Sequence, residues 1–166
     1  MDLIIRAAHP DDADAIVNIL NPIIEEGLYT VLDTTFTVDD ERRFIAEFPN
    51  SGIFLVAVDS SDGALVGFQN AEPFANYTHA FDHVACMSTY IAPSFRRRGV
   101  ASQLFQESFR QARAKGIEKI FTFVRADNPG ALAAYCSQGF TVIGTARRHA
   151  KIRGEYVDEI LIEKFL

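Results

Sequence analysis

Apolar residues recur along the chain with the two spacings that distinguish helices from strands. The helical spacing i, i+3, i+4, i+7 is first filled by Ala13, Ile16, Val17 and Leu20. Pro10 stands shortly before them, where proline favours the first helical position. Nearly the same period returns from Val100 to Lys115, and Gly116 follows as a helix terminator. The pattern therefore predicts two amphipathic helices.

Shorter apolar runs and residues that start or stop helices predict the other elements. Asn21-Pro22 predicts an interruption or kink of the first helix, because proline lacks the backbone donor of the helical ladder. Asn128-Pro129 predicts a helix start, and Gly139 its end. A further helix is predicted at Val38–Phe48. The predicted strands are Leu3–Ile5, Ile53–Val58, Ala64–Phe68, Val84–Ile91, Ile120–Val124, Phe140–Thr145 and Tyr156–Phe165.

The order of these elements is β-α-α-β-β-β-α-β-α-β-β, with an Asp62-Gly63 hairpin turn between the second and third strands. This order favours an α/β (α+β) fold in which helices flank both faces of a mixed sheet. A length of 166 residues suits one domain over residues 1–166. A hydrophobic content of 48% and a charged content of 23% are typical of a globular protein.

Charge and cysteine content exclude several classes of function. A net charge of -6 disfavours a general role in coating nucleic acid, which requires a broad basic surface. The N-terminus has no long apolar run, so we expect neither a signal peptide nor a membrane span. Cys86 and Cys136 lack the spacing of a metal site or a disulfide framework, and the four histidines are too scattered for a metal site. These features favour a reducing cytoplasm.

One segment has an unusual charge distribution for a helix start. Arg96, Arg97 and Arg98 stand where the helix dipole is positive, at a cost of about 0.3–1 kcal/mol per cation. Gly99 costs a further ~1 kcal/mol in helix propensity. A bound phosphate would offset these costs, although a solvated basic turn with an incidental glycine is the alternative. The segment lacks both the P-loop and the Gly-x-Gly-x-x-Gly motifs, so nucleoside triphosphates and NAD are disfavoured.

Two motifs together indicate a family. Arg96 to Ala101 matches the signature Gln/Arg-x-x-Gly-x-Gly/Ala, and Asn128 to Phe140 is similar to a later Asn…Tyr…Gly-Phe motif. The chain thus resembles the GNAT superfamily of acetyltransferases over nearly its whole length. Ser88–Pro93 and Gly154–Asp158 are similar to its phosphinothricin acetyltransferase-like branch.

The resemblance implies a mostly antiparallel GNAT-like sheet and acetyl-coenzyme A as cosubstrate. It also implies N-acetylation of a small-molecule amine, an amino acid or amino-acid analogue, by direct attack on the thioester. A protein or peptide N-acetyltransferase and a non-catalytic acyl-coenzyme A-binding module are the alternatives. The small amine is then the expected partner, with no nucleic acid and no membrane. A homodimer is possible, and the resemblance does not decide the oligomeric state.

The resemblance also assigns residues to acetyl-coenzyme A. The backbone from Arg97 to Ser102 would hold the pyrophosphate. The strand edge from Thr89 to Ile91 would pair with the pantetheine amides, while Asn128 and Ser137 would face the thiol. The implied cofactor residues are Thr89, Tyr90, Ile91, Arg96, Arg97, Arg98, Gly99, Val100, Ala101, Ser102, Asn128 and Ser137.

For catalysis, a backbone N–H at a bulge near Ser88 or Thr89 would polarise the acetyl carbonyl, and Tyr135 would donate a proton to the thiolate. Relatives carry Glu where this chain has Cys86, so the resemblance does not assign a general base. Glu72 is our candidate among nearby titratable residues, which also include His79, Asp82 and His83. An acetylated Cys86 is a further possibility, against its interpretation as a small buried hydrophobe.

The acceptor site is the least specified part of the sequence. The segment from Glu25 to Thr37 is irregular and suits a loop over a site. Tyr29 from this segment and Tyr77 belong to an aromatic group that could line an apolar pocket, with core packing as the alternative. The predicted substrate-binding residues are Phe36, Phe74, His79 and Phe81.

Overall fold

A computed structural model describes residues 2–166. Within this range seven strands form a single sheet, and four helices pack against it. The strands are β1 Leu3–Ala7, β2 Ile53–Asp59, β3 Leu65–Pro73, β4 Val84–Ile91, β5 Lys119–Arg125, β6 Thr141–Ile152 and β7 Glu155–Phe165. The helices are α1 Ala13–Glu26, α2 Val38–Ala46, α3 Val100–Ala114 and α4 Pro129–Ser137. The predicted order of elements is confirmed.

The strand order in the sheet is β1-β2-β3-β4-β5-β7-β6. Every neighbouring pair is antiparallel except β4 and β5, which are parallel. The mixed, mostly antiparallel sheet is therefore confirmed.

Helices cover both faces of the sheet because β2 is apolar on both sides. Its alternate residues Ile53, Leu55 and Ala57 belong to a core cluster with α3. Phe54, Val56 and Val58 belong to a second cluster with α1 and α2. The side chains of successive residues point to opposite faces, so this strand separates the two cores.

The predicted interruption at Asn21-Pro22 is wrong, because α1 continues through Pro22 and ends at Gly27, whose φ is 72°. Burial of Ile23 and Ile24 in the core favours continued helix. The Asn21 side chain also anchors the following loop: its amide donates to the Phe36 carbonyl at 2.9 Å and its oxygen accepts from the Phe36 N–H at 3.0 Å. The irregular segment therefore begins at Gly27 rather than at Glu25.

Two strands are longer than their apolar patterns indicated. β3 extends to Pro73 and β6 to Ile152. The added part of β6 is mostly exposed, so no alternation of apolar and polar residues marks it. It pairs with β7 around a turn at Arg153 and Gly154, both at positive φ.

Candidate active site

A wedge opens between β4 and β5. The two strands pair only at Val84↔Lys119 and Ala85↔Ile120 and then separate. From Cys86 onward, one edge of β4 therefore lacks a neighbouring strand. Such an edge offers backbone donors and acceptors to an extended ligand.

The predicted bulge in β4 is absent, because the register with β3 runs without a shift from Ala85 to Ile91. The wedge instead leaves backbone N–H and C=O groups of β4 without a partner strand. Val84 accepts from the Phe74 N–H and Ala92 donates to the Val66 carbonyl, so the even-numbered residues of β4 face β3. By alternation, the backbone N–H of Ser88 points to β3, whereas the backbone N–H of Thr89 points into the wedge.

A cavity of about 460 Å³ lies at the wedge, between β4 and the starts of α3 and α4. Most of the predicted cofactor residues line it. They are Thr89, Tyr90, Ile91, Arg96, Arg97, Gly99, Val100, Ala101, Ser102 and Asn128. The fold therefore brings together residues from two motifs that are well separated in sequence.

The N-terminus of α3 is built to receive an anion. Gly99 is its N-cap, at φ 82°, and no side chain caps the first turn. The first backbone N–H groups of a helix lack intrahelical partners and carry partial positive charge. Arg97 is also held at a positive φ of 60°, which is strained for a bulky residue. The Arg96 guanidinium lies 4.4 Å from the centre of the Tyr29 ring, on the cavity wall.

Two predicted cofactor residues lie outside this lining. Arg98 is exposed and stacks on Phe95, 5.4 Å from the ring centre. Ser137 is exposed at the end of α4, where its hydroxyl donates to the Ala134 carbonyl at 2.7 Å. The structure thus places neither side chain on the cavity wall.

Tyr135 lies at the inner end of the cavity, in a chain of hydrogen bonds. The Gln69 amide donates to Thr89 Oγ1 at 2.8 Å, and Thr89 Oγ1 lies 3.1 Å from the Tyr135 hydroxyl. Burial raises the pKa of Tyr135, so its hydroxyl stays protonated at neutral pH. The buried oxygen of the Gln69 amide has no partner within residues 2–166.

Glu72 lies directly opposite Cys86 in the register of β3 and β4. Directly paired residues project to the same face, with Cβ atoms about 5 Å apart. The pairing thus places a carboxylate beside Cys86, on the neighbouring strand. Burial raises the pKa of Glu72, as suits a proton acceptor near neutrality. Burial also raises the pKa of the Cys86 thiol, which disfavours a nucleophilic thiolate.

A buried carboxylate near the wedge, Glu159, was missed from the sequence. It lines a cavity of about 200 Å³ that also contacts Cys86, Thr89 and Tyr135. Its side chain is 5% exposed, and burial raises its pKa. The available signal was an acid with an apolar residue two positions away on each side, Val157 and Leu161, in a predicted strand. Its position at the wedge follows only from the pairing of β5 with β7.

Arg125 fixes the loop over this cavity. Its guanidinium donates to the backbone carbonyls of Gly27 and Thr30, each at 2.9 Å, and pairs with Asp127 at 2.7 Å. The predicted loop over the site is therefore anchored to β5.

A third cavity, of about 690 Å³, lies between α2 and the sheet. It shares Leu32, Ser88 and Tyr90 with the 200 Å³ cavity and is also lined by Glu72. We call it the acceptor cavity. Of the four predicted substrate residues, Phe36 lines it.

The other three lie in a separate cluster. Phe74 contacts Phe81 and Phe121 edge to face, with ring centres 5.2 and 5.5 Å apart. His79 is exposed and lies 3.0 Å from Asp82. None of the cavities described above includes them. Aromatic packing therefore accounts for Phe74 and Phe81.

Two other kinds of feature are absent from residues 2–166. No helix there is long and apolar enough to cross a membrane. No group of three or more His, Cys, Asp or Glu side chains in that range is arranged to hold a metal ion.

Similarity to known proteins extends over most of the chain. Residues 15–140 match the Acetyltransferase (GNAT) family. The phosphinothricin N-acetyltransferase of Streptomyces coelicolor is 22% identical over 162 residues, which cover 96% of this chain and 94% of that protein.

Two solved structures share the fold. A phosphinothricin acetyltransferase from Sinorhizobium meliloti, in complex with acetyl-coenzyme A, has a TM-score of 0.91 at 22% identity, over 100% of this chain and 89% of that one. The ribosomal-protein-alanine N-acetyltransferase of Brucella melitensis has a TM-score of 0.90 at 25% identity, over 98% and 99%. The chain belongs to the GNAT family of acetyltransferases, which use acetyl-coenzyme A as cosubstrate, and it groups with the phosphinothricin acetyltransferase branch, as the resemblance implied.

Proposed function

We propose that this chain acetylates a small-molecule amine, of the amino-acid or amino-acid-analogue class, by direct transfer from acetyl-coenzyme A. The observation that carries the proposal is the passage from the α3 N-terminus, through the wedge, to the acceptor cavity. A non-catalytic acyl-binding module would need neither the acceptor cavity nor the half-buried carboxylate of Glu72. The name of the Streptomyces relative supports a small acceptor.

The residues of this passage fit the cosubstrate. The uncapped backbone of Val100 to Ser102, with Arg96 and Arg97 beside it, suits a diphosphate. The open edge of β4 at Thr89 and Ile91 suits the amides of an extended pantetheine arm. Acetyl-coenzyme A, when bound, supplies the activated acetyl group.

Three groups of the chain then serve the transfer. The backbone N–H of Thr89 stabilises the negative charge that develops on the acetyl oxygen. Glu72 accepts the proton that the acceptor nitrogen loses as the C–N bond forms. The Tyr135 hydroxyl donates a hydrogen bond to the departing sulfur as the C–S bond breaks. Its raised pKa keeps this donor protonated but opposes complete proton transfer.

A protein N-terminus is the second candidate acceptor, since the Brucella neighbour is a ribosomal-protein-alanine N-acetyltransferase. A thiol-release assay across amino acids, amino-acid analogues, diamines and peptides tests the proposal. Turnover of small amines supports it, and turnover of peptides alone would contradict it. Homodimer formation and a cytoplasmic location stay predictions of the sequence.

Substituting Tyr135→Phe should lower kcat by about 100-fold, because the substitution removes only the hydroxyl that contacts the reacting sulfur. The ring packs edge to face on Phe105 and Phe140, so folding and acetyl-coenzyme A affinity should change little. Steady-state kinetics with a thermal-shift titration measure both quantities. An unchanged kcat would remove Tyr135 from the mechanism.

A further inference from the structure

One buried carboxylate of the acceptor cavity has no role in the transfer described above. Glu41, on α2, is 5% exposed and lines this cavity. Within residues 2–166, no donor forms a hydrogen bond or ion pair with its carboxylate. Buried acids are almost always paired, because desolvation of an isolated charge is costly. A cationic ligand in this cavity would supply the missing partner of the Glu41 carboxylate.

The walls of the cavity suit a cation as well. Five aromatic rings line it, and such rings attract cations to their faces: Phe36, Phe44, Phe54, Phe68 and Tyr90. The other charged side chains on its walls are Asp40, Arg43, Glu47 and Glu72. Carboxylates thus outnumber the single guanidinium, and the wall is acidic overall.

The position of Glu41 separates it from the reaction. Glu72 and Ser88 lie at the end of the cavity that joins the wedge, whereas Glu41 lies on the helix across the cavity. An acceptor whose reactive nitrogen lies at Glu72 can therefore present a second group to Glu41.

We propose that the acceptor carries a second protonated nitrogen, besides the amine that is acetylated, and that Glu41 binds it. This inference rests on the proposed function. A basic amino acid and an aliphatic diamine both have this chemistry. The exposed Arg43 on the same wall would suit the carboxylate of a basic amino acid.

Matched acceptors test the proposal. We expect kcat/KM to be about tenfold or more higher for L-lysine than for L-norleucine, or for 1,5-diaminopentane than for 1-aminopentane. Preference within the first pair identifies a basic amino acid, and preference confined to the second pair identifies a diamine. Equal or higher kcat/KM for the members with a single amino group, in both pairs, would overturn the inference.

The variant Glu41→Gln keeps the shape of the side chain and removes its charge. It should lower kcat/KM for the preferred acceptor with two amino groups by about tenfold. The kcat/KM for its counterpart with one amino group should stay within about twofold. Glu47→Gln is the matched control, since it makes the same charge change at an exposed position of the same cavity. It should affect both acceptors weakly and alike. Equal losses for both acceptors in Glu41→Gln would overturn the assignment.

Binding gives a readout independent of turnover. Burial raises the pKa of Glu41 to about 7, so this carboxylate ionises as pH rises from 6 to 8. The rise in Tm caused by the preferred acceptor with two amino groups should therefore be larger at pH 8 than at pH 6. In Glu41→Gln this additional rise should be lost, leaving only the titration of Glu72 and the acceptor; an unchanged pH dependence would contradict the assignment. Acetyl-coenzyme A should raise the Tm of both proteins, and its failure to do so in the wild type would contradict the proposed function instead.

Discussion

The variant Gly99→Val should lose the rise in Tm that acetyl-coenzyme A gives the wild-type protein. At a ligand concentration of 100 Kd, binding stabilises the native state by about 2.7 kcal/mol, or roughly 5–10 °C in Tm for a chain of this size. Gly99 has a φ of 82°, and a Cβ there would meet no protein atom within 4 Å. The added side chain would instead enter the space where the diphosphate is proposed to bind.

Backbone strain alone cannot produce this result, and Gly63→Val separates the two effects. Gly63 also has a positive φ, 76°, and open space around a built Cβ, but it lies in the hairpin turn between β2 and β3. Both variants should lose stability without ligand, since a β-branched residue is strained at positive φ. Only Gly63→Val should keep the ligand-induced shift. A full ligand-induced shift in the Tm of Gly99→Val would contradict diphosphate binding at the N-terminus of α3.

The second large effect is expected for Glu72→Gln, which should lower kcat/KM near pH 7 by about 100-fold or more. Burial raises the pKa of Glu72 above its ordinary value. The ionised form that accepts the proton is therefore lost as pH falls through this raised pKa. The wild-type profile should show that acid limb, and the variant should lack it and retain only the titration of the acceptor amine. Initial rates between pH 5 and 9 measure both.

Glu159→Gln is the matched comparison for this prediction, because Glu159 is another carboxylate near Cys86 with a pKa that burial raises. It lies on β7, opposite Arg125 of β5, rather than opposite Cys86. We therefore expect a smaller loss of activity. If Glu159→Gln removes the acid limb and Glu72→Gln does not, Glu159 is the base.

The sequence predicted the strands and helix starts whose bounds are set by neighbouring residues in the chain. The bounds of β4 were predicted without error, because the apolar residues Val84 to Met87 open the strand and Pro93 follows shortly after its end. A phosphate-binding segment near Gly99 was predicted because a helix start rich in arginine is energetically unusual without an anion. Pro22 does not interrupt α1 as predicted, because burial of the following isoleucines outweighs one lost hydrogen bond.

Side chains brought together by strand register could not be found in the same way. Glu72 was proposed from its proximity in sequence, but its position opposite Cys86 follows only from the pairing of β3 with β4. Glu41 reads as an ordinary surface acid of a charged helix until its burial is known. The sequence predicted both Phe74 and Phe36 as substrate-binding residues and did not distinguish them, yet only Phe36 lines the acceptor cavity.

The most direct test of the account is an experimental structure of the protein bound to coenzyme A. We expect the diphosphate oxygens to lie about 2.7–3.2 Å from the backbone nitrogens of Val100, Ala101 and Ser102, with the pantetheine arm along the open edge of β4. A diphosphate bound elsewhere, with those three amides facing solvent, would contradict the account.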